Sequence, residues 1–562
     1  MLIALLLSAA QGPVPYSTQA SWQSYSSGVT TGGEFADLDR DGDQDFVVAN
    51  GNDILRQRVE VYYNDGAGNF PQQPQWQSGD VDYHGHLAAG DVDGDGWPDL
   101  AVSVFLGPQG FGDKGHVKLY RNNAGTLSST PVWRSADEFF SFSCDLGDAD
   151  GDGDLDLAVA TGEPYFDPPD HNRIYYNSNG TLETTPSWLS STVDHCLDVS
   201  FGDADGDGDL DLALCTAAGP MRVFYQGLGG MSTSPGWTAT DNNSQNGNTC
   251  TFGDVDADGF LDLAVTDNDQ LPGGNGRYKI YRSNGGSLAT TPFWSDFAGQ
   301  VSAVAFADLH LDGYPDLAGG VWFAGTDIYL NDNGGFGTAP NWQSSSNSTV
   351  EAITFADVDG NGIQQSTETL PGDGVRRTFY LAKAPVHELL EARADGVLLA
   401  AADYAFDAAD GWLALDRAPA TLVVRYRWSE SLDMGVTNWD QSIGNLVFRR
   451  KPLIEVDLTP TGPTTLQRGQ ALQFNAARTS TVNRSESYAL VFKVRPAAGG
   501  PTRPIASYPG VLAAFQTVSG PYAFQVPLNT PLRLNGQYLL IGSAVRDASM
   551  TLGSDSLPFT LQ

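Results

Sequence analysis

Four cysteines, seven histidines and 30 lysines plus arginines are all that 562 residues contain of these types, and each shortage excludes something. Cys144, Cys196, Cys215 and Cys250 form no CxxC pair, which rules out a zinc ribbon or a thioredoxin-like centre. Basic residues are outnumbered by 68 Asp plus Glu, for a net charge of −38, so a polyanion would be repelled and nucleic acid is excluded as a partner. Beyond residues 1–10 no stretch reaches the roughly 18 apolar residues of a membrane helix. GxSxG is absent, and His387-Glu388 opens an HExxH motif that fails at Glu391, so neither signature of hydrolytic catalysis is complete. Helical periodicity is missing as well.

What remains is apolar enough to fold. Hydrophobic residues make up 41% and there are 64 glycines, the composition of a core with many turns and not of a disordered acidic tail. Residues 1–10, MLIALLLSAA, end in the small residues Ser8, Ala9 and Ala10, the form of a signal-peptidase site. The expectation is export, to a secreted, periplasmic or cell-surface location, with no transmembrane segment in the mature chain.

The dominant feature is self-similarity. DLDRDGDQDF from Asp37 recurs as DVDGDGWPDL from Asp91, DADGDGDLDL from Asp148 and Asp203, and DVDADGFLDL from Asp254. Weaker copies follow as DLHLDGYPDL from Asp308 and DVDGNGIQQS from Asp357. The mean spacing is about 53 residues, a period that marks a repeat architecture. A second marker keeps the same beat: Trp22, Trp76, Trp133, Trp188, Trp237, Trp294 and Trp342. Before each motif runs an apolar alternation, Phe35, Ala89, Leu146, Phe201, Phe252, Phe306 and Phe355 at one step and Gly33, Leu87, Cys144, Val199, Cys250, Val304 and Ile353 at the next. Cys144 and Cys250 therefore occupy packing positions and read as small buried hydrophobes. Four short strands per unit predict a propeller blade, and seven units predict seven blades. Because Trp22 precedes every motif and no tryptophan segment follows the seventh, its strand is predicted to complete blade seven and clasp the ring.

These motifs resemble the FG-GAP/VCBS repeat family, best known from the seven-bladed β-propeller of integrin α subunits. The resemblance covers about residues 18–363 and 430–451. It implies an all-β propeller in which each acidic loop joins the first two strands of a blade, and it points to calcium-dependent adhesion. Function does not transfer from fold alone, since propellers host unrelated activities.

The loops carry their own chemistry. Carboxylates at positions 1, 3, 5 and 9, with glycine at 6 for a sharp turn and the carbonyl of position 7, wrap oxygen donors around one hard cation, which favours Ca²⁺ over the smaller Mg²⁺. Five loops are complete: Asp37, Asp39, Asp41 and Asp45 with the Asp43 carbonyl; Asp91, Asp93, Asp95 and Asp99 with Trp97; Asp148, Asp150, Asp152 and Asp156 with Asp154; Asp203, Asp205, Asp207 and Asp211 with Asp209; and Asp254, Asp256, Asp258 and Asp262 with Phe260. The sixth uses Asp308, Asp312, the Tyr314 carbonyl and Asp316 but has His310 at position 3, so weak binding is expected. The seventh has Asp357, Asp359, Asn361 and the Ile363 carbonyl but lacks a ninth-position Asp. Glu368, twelfth from Asp357 as in an EF-hand, is favoured to close it, with Asp433 as the alternative.

Asp433 lies in SLDMGVTNW, the displaced continuation of a blade strand, so a small β subdomain is expected as an insertion over residues 370–430 within a propeller spanning 18–451. Residues 453–562 lack acidic repeats, and Gly536-Gln537-Tyr538 resembles the tyrosine corner of an immunoglobulin-like or fibronectin-III-like sandwich.

Individuality is expected on the face opposite the calcium loops. Its connections carry His84, His86, Tyr165, Phe166, Asp194, His195, Asp198, Trp322 and Trp439. Aromatic platforms beside carboxylates and imidazoles suit a carbohydrate, His84 with His86 could hold a transition metal, and the same residues could serve only as packing between blades. The expected function is a calcium-binding recognition or adhesion protein whose partner is an extracellular glycan or protein. A polysaccharide lyase or glycoside hydrolase built on scattered carboxylates, and a structural matrix component, are the alternatives.

Overall fold

The computed structural model describes residues 14–562 apart from 26, 228, 468, 483, 499–501, 515, 526–535 and 547–549. The export signal expected at residues 1–10 lies outside them. The chain divides into two compact units, one of residues 17–308 and 313–449 and the other built mainly from 450–562. One short 3-10 turn, Ala401–Asp403, is the only helical element among the described residues; everything else with regular structure is strand. Among the described residues no helix is long and apolar enough to cross a membrane.

The larger unit repeats one motif. Sheet one is Thr30–Ala36, Asp45–Asn50, Val59–Tyr62 and Trp76–Gln77, four antiparallel strands in sequence order. Sheets two to six follow the same plan, beginning at Tyr83, Ser141, His195, Cys250 and Val301, and sheet four carries one extra short strand, Gln245–Asn246. The seventh combines Val350–Ala356, Asp433–Asn438, Leu446–Phe448 and Trp22–Gln23. Its outer strand therefore comes from the beginning of the chain, with Trp22 paired to Val447, as the tryptophan spacing predicts. The first strand of each sheet neighbours the first strand of the next, and that of the seventh returns to that of the first. Such cyclic order of four-stranded antiparallel sheets is that of a β-propeller.

Two devices join neighbouring sheets. Each repeating tryptophan sits edge-on against an aromatic ring of the following sheet's third strand: Trp22 on Tyr62, Trp76 on Tyr120, Trp133 on Tyr175, Trp188 on Phe224, Trp237 on Tyr281, Trp294 on Tyr329 and Trp342 on Phe448. Their centroids are 5.1 to 6.1 Å apart, the T-shaped geometry that the ring quadrupole favours. Then a buried asparagine just after the third strand donates to a carbonyl in the preceding acidic loop. Asn64 bonds Val358 at 2.6 Å, and Asn122, Asn177 and Asn331 bond Leu38, Val92 and Val255 at 2.7 Å each.

The insertion begins at Ile363, not at Leu370 as expected, because Ile363–Pro371 pairs along its whole length with Thr421–Ser429. Val386–Ala394 and Val397–Leu398 complete that sheet, and Thr378–Tyr380, Trp412–Leu415 and Tyr404–Asp407 form a second. Phe379, Val386, Leu413, Leu422, Val424 and Tyr426 share one buried core within the insertion. It rests on the acidic loops: Thr378 N–H donates to Gly208 at 2.9 Å, Arg376 to Gly206 at 3.2 Å, and the His387 ring meets the Gly42 carbonyl at 3.0 Å. His387 is thus a contact residue, and Glu388 pairs with Arg427 at 2.6 Å, so no zinc motif forms.

In the smaller unit a three-stranded sheet (Ile454–Pro460, Ala471–Ser480, Thr517–Gln525) and a five-stranded one (Thr465–Leu466, Glu486–Pro496, Arg503–Leu512, Gly536–Val545, Thr551–Leu561) share one apolar core that includes Leu458, Phe474, Leu490, Phe492, Leu540 and Phe559. Tyr538 stacks on Phe559 with centroids 5.6 Å apart.

Candidate functional site

Each acidic loop is a turn wound about its first aspartate. The N–H of the position-6 glycine donates to that carboxylate in all seven: Gly42 to Asp37, Gly96 to Asp91, Gly153 to Asp148, Gly208 to Asp203, Gly259 to Asp254, Gly313 to Asp308 and Gly362 to Asp357, at 2.7 to 3.1 Å. The first six of these glycines have φ between 90° and 96°, where a side chain would be strained. The ninth-position Asp, first residue of the second strand, accepts the N–H of position 2, as Asp156 does from Ala149 at 2.8 Å and Asp211 from Ala204 at 2.9 Å. In this way the backbone fixes both ends of a ligand arc.

Carboxylate oxygens of Asp37, Asp39 and Asp41 converge within 4.8 Å of one another, as do those of Asp91, Asp93 and Asp95, of Asp148, Asp150 and Asp156, and of Asp203, Asp205 and Asp211. Burial, with the neighbouring aspartates adding to it, pushes Asp37 and Asp91 up to about 6, Asp99, Asp148 and Asp262 to about 7, Asp45 to about 8 and Asp211 to about 9. One buried oxygen in each of five loops has no hydrogen-bond partner: Asp37 Oδ1, Asp99 Oδ2, Asp203 Oδ1, Asp256 Oδ1 and Asp359 Oδ1. Orphaned acceptors aimed into a convergent arc fit a hard cation.

The seventh loop corrects an expectation. Val358 N–H donates to Asp433 Oδ2 at 3.0 Å, and Asp433 pairs with Ala356 in the register that joins Asp45 to Ala36 and Asp99 to Gly90. Asp433 thus holds the ninth position despite the intervening insertion. Glu368 faces away in the insertion, accepting from Ala382 N–H at 3.2 Å and from the Tyr426 hydroxyl. The reason is strand pairing: continuing the loop into Ile363–Pro371 extends that strand outward and carries Glu368 with it. In the sixth loop the His310 ring lies 3.1 Å from Asp312.

On the opposite face the expected residues separate into two groups. Tyr165 and Phe166 are 38% and 77% exposed and meet Phe111, itself 41% exposed, in edge-to-face contacts of 6.1 and 5.1 Å. The Tyr165 hydroxyl donates to Gln270 of the fifth sheet's loop at 3.0 Å, so this side chain spans from the third repeat to the fifth. Trp322 and Phe323 meet Trp439 at 6.1 and 5.9 Å, and Phe323 is 58% exposed. These five aromatics and Phe111 form two surface clusters.

The polar candidates are otherwise engaged. His84 is fully buried, its Nδ1 lies 2.9 Å from the Asn50 carbonyl, and burial followed by the Lys118 charge lowers it to about 4. A register shift between His84 and Leu87 breaks the alternation that would have set His84 beside His86, so the two imidazoles make no shared metal site. Asp194 is tied to Arg222 at 3.2 Å. His195 is half-buried, and burial lowers its pKa. His86 and Asp198 line a half-open pocket among the first strands and lie apart from the two aromatic clusters.

Three acidic residues were missed by the sequence reading. Glu351 is fully buried, and burial drives its pKa well above the carboxylate range, opposed by the indole N–H groups of Trp322 and Trp439. Glu34 and Asp145 are both raised to about 8 by burial and by Asp407. The available signal was a charge inside a first-strand apolar alternation, three residues before the first motif Asp in the latter two cases.

The FG-GAP-like repeat model matches residues 37–102, 104–159, 165–214, 205–265 and 254–319, and the FG-GAP repeat model matches 85–120. No curated protein matches the chain. Among solved structures, the Pseudomonas fluorescens alkylpurine DNA glycosylase AlkC bound to DNA containing an abasic site analog shares 14% identity over 20% of this chain and 31% of its own, with a TM-score of 0.17. A β-glucosidase from Listeria innocua shares 10% identity over 20% of this chain and 16% of its own, with a TM-score of 0.15. The chain thus spans under a third of the length of either, and at those scores neither defines its fold.

Proposed function

Because the chain belongs to the FG-GAP repeat family, whose β-propellers are of the kind found in adhesion and recognition proteins, we propose that it is an exported calcium-binding recognition protein that takes an extracellular glycan on the face opposite its acidic loops. Two aromatic clusters carry this reading: Phe111, Tyr165 and Phe166, all exposed, and the exposed Phe323 with the half-buried Trp322 and Trp439. Rings at a loop face offer flat apolar surface to sugar rings, and connections of unequal length on a rigid scaffold are where binding is usually built. Calcium in the acidic loops would fix the scaffold. Export agrees with the residue 1–10 pattern. The C-terminal unit, read as immunoglobulin-like, would act as spacer or docking module.

The polysaccharide-cleaving alternative finds less support. Glu351 has the raised pKa of a general acid, but it is fully buried behind Trp322 and Trp439 and cannot touch substrate. The other acidic cavity, about 230 Å³, is smaller than the roughly 300–1,000 Å³ of ordinary ligand pockets.

Glycan-array binding of the full chain in calcium tests the proposal. Wild type should bind a defined glycan set, and Tyr165→Ala with Trp322→Ala should lose it while keeping the melting curve. Unchanged binding by that variant would move the site elsewhere, and a wild type that binds no glycan but self-associates would favour the matrix role.

A further inference from the structure

The insertion touches the acidic loops unevenly, and the difference falls on backbone that must move if a bound ion is to leave. At the fourth loop the N–H groups of Arg377 and Thr378 donate to the Gly208 carbonyl at 3.4 and 2.9 Å, and Arg376 donates to the Gly206 carbonyl at 3.2 Å. Asp203 N–H in turn donates to the Tyr380 hydroxyl at 3.0 Å. At the third loop the Arg377 guanidinium donates to the Gly151 carbonyl. A Cβ on Gly153 would stand 2.8 Å from the Asp416 nitrogen, so insertion backbone lies directly against that glycine. Gly208 and Gly153 are the position-6 glycines whose N–H groups hold the first aspartate. Both are buried, as are Asp203 and Asp148.

The fifth loop has the same sequence pattern and none of this cover. Gly259 is exposed, a Cβ there would meet nothing within 4 Å, and Asp254 is half-buried. Among the described residues, the hydrogen bonds and ion pair that leave this loop go to Arg282, Ser283 and Asn331, all in the propeller. A hard cation departs only as water replaces its oxygen donors, and the loop must open locally for that. Opening turns the position-6 peptide away from the first aspartate. In the third and fourth loops that peptide is pinned beneath the insertion.

We propose that the insertion is a lid over the third and fourth loops that divides the calcium ions of this face into two kinetic classes. Ions in those two loops leave slowly, as the insertion lifts, and the ion of the fifth loop exchanges freely with solvent. The proposal rests on the reading of the acidic loops as calcium sites. Arg376 and Arg377 are positioning residues: they bond loop carbonyls and not the ion. Charge permits this, because four ligand carboxylates around one Ca²⁺ leave a negative excess that still attracts a guanidinium. Through a brief fall in calcium the covered loops would stay loaded while the fifth empties, so the open side alone would respond.

Rapid mixing of the calcium-loaded full chain with a fluorescent calcium chelator reads the release. It should be biphasic, the slow phase at least about tenfold slower than the fast one, because hydrogen bonds to the insertion must break before the covered loops open. Asp207→Asn in the fourth loop should remove about one ion from the slow phase, and Asp258→Asn in the fifth about one from the fast phase. Arg376→Lys with Arg377→Lys keeps both charges but loses the planar fork; it should speed the slow phase about fivefold and leave the fast phase unchanged. Arg376→Gln with Arg377→Gln should speed it as well. Removing two positive charges would by itself retain calcium longer, so that acceleration cannot be an effect of charge. Release in a single phase would overturn the proposal, as would a slow phase that both arginine variants leave unchanged or from which Asp207→Asn takes nothing. A chain that releases no calcium at all would overturn the calcium reading and the lid with it, whereas single-phase release removes the lid alone.

Discussion

The two faces of the ring are made from the same strands and differ in almost everything else. On the acidic-loop face seven turns repeat one hydrogen bond, from the position-6 glycine to the first aspartate, within a few tenths of an ångström. On the other face no two connections agree: one carries Phe111, another Tyr165 and Phe166, another Trp322 and Phe323. Repetition is what a metal site requires, because ligand geometry tolerates little variation. Individuality is what recognition requires, because a partner is distinguished by unequal contacts. Under the function proposed above, the same repeat would do two jobs by keeping one end constant and freeing the other.

The largest expected effect breaks the constant face. With the loops empty, carboxylates converge at buried positions, and burial first, with repulsion between neighbouring aspartates adding to it, raises their pKa values. Saturation at 100 times the dissociation constant adds about 2.7 kcal/mol per site. Chelation of calcium-loaded protein should lower the melting temperature strongly, and a melting curve indifferent to EDTA would remove the metal from the argument.

Next comes the seam. Trp22 contacts Phe46 and Tyr62 of the first sheet and Phe70 of the connection between its third and fourth strands, while its own strand belongs to the seventh. Trp22→Ala should cost about 3 kcal/mol by loss of packing area. Replacing Trp188, which has the same role between the third and fourth sheets, should cost a similar amount. A far smaller effect at Trp22, measured by denaturant unfolding, would mean that the ring does not depend on its closing strand.

How much of this was legible in the sequence follows the same division. The repeating aspartates and tryptophans were visible because a period of identical residues needs no knowledge of the fold. Closure by Trp22 followed from counting. The ninth ligand of the last loop was not legible, because Asp433 is distant in sequence and becomes adjacent only through pairing with Ala356. His84 was misjudged for a related reason: alternation places it beside His86, and a register shift between His84 and Leu87, with Gly85 inside it, turns it inward. The acidic cavity draws single residues from four sheets and an insertion, so no local pattern records it.

A third prediction concerns that buried imidazole. His84 folds with its pKa lowered to about 4, against about 6.5 when unfolded, so the unfolded chain binds the extra proton between those values. Its neutral form is accommodated fully above pH 6.5, and stability is lost as the pH falls from there toward 4, by up to about 3 kcal/mol. His84→Asn keeps a donor for the Asn50 carbonyl but cannot titrate. The variant should be less stable than wild type at pH 7.5, and the gap should narrow as the pH falls. Calcium loss on acidification affects both proteins alike, so a gap of constant size in thermal melts would show that His84 does not titrate in this range.

The smallest expected effect sharpens the claim that the loops are one structure seven times over. Position 4 adopts positive φ in every loop: 70° at Gly94, 77° at Gly151, 79° at Gly206 and 64° at Gly360, but also 54° at Arg40, 57° at Ala257 and 61° at Leu311. An L-residue in that conformation costs roughly 1–2 kcal/mol. Where the chain has alanine or arginine, therefore, the loop is held left-handed against its own preference by the bonds around it. Glycine would remove the strain but adds roughly 0.5–1 kcal/mol of unfolded-state entropy. Ala257→Gly should stabilise the protein by about 1 kcal/mol or less and tighten the fifth loop's hold on calcium slightly, because less of the binding free energy goes into maintaining the turn. Gly94→Ala, the reverse change in the second loop, should do the opposite. If Ala257→Gly destabilises instead, alanine's conformation there is not strained, and the fifth loop departs from the common geometry that the constant face is argued to impose.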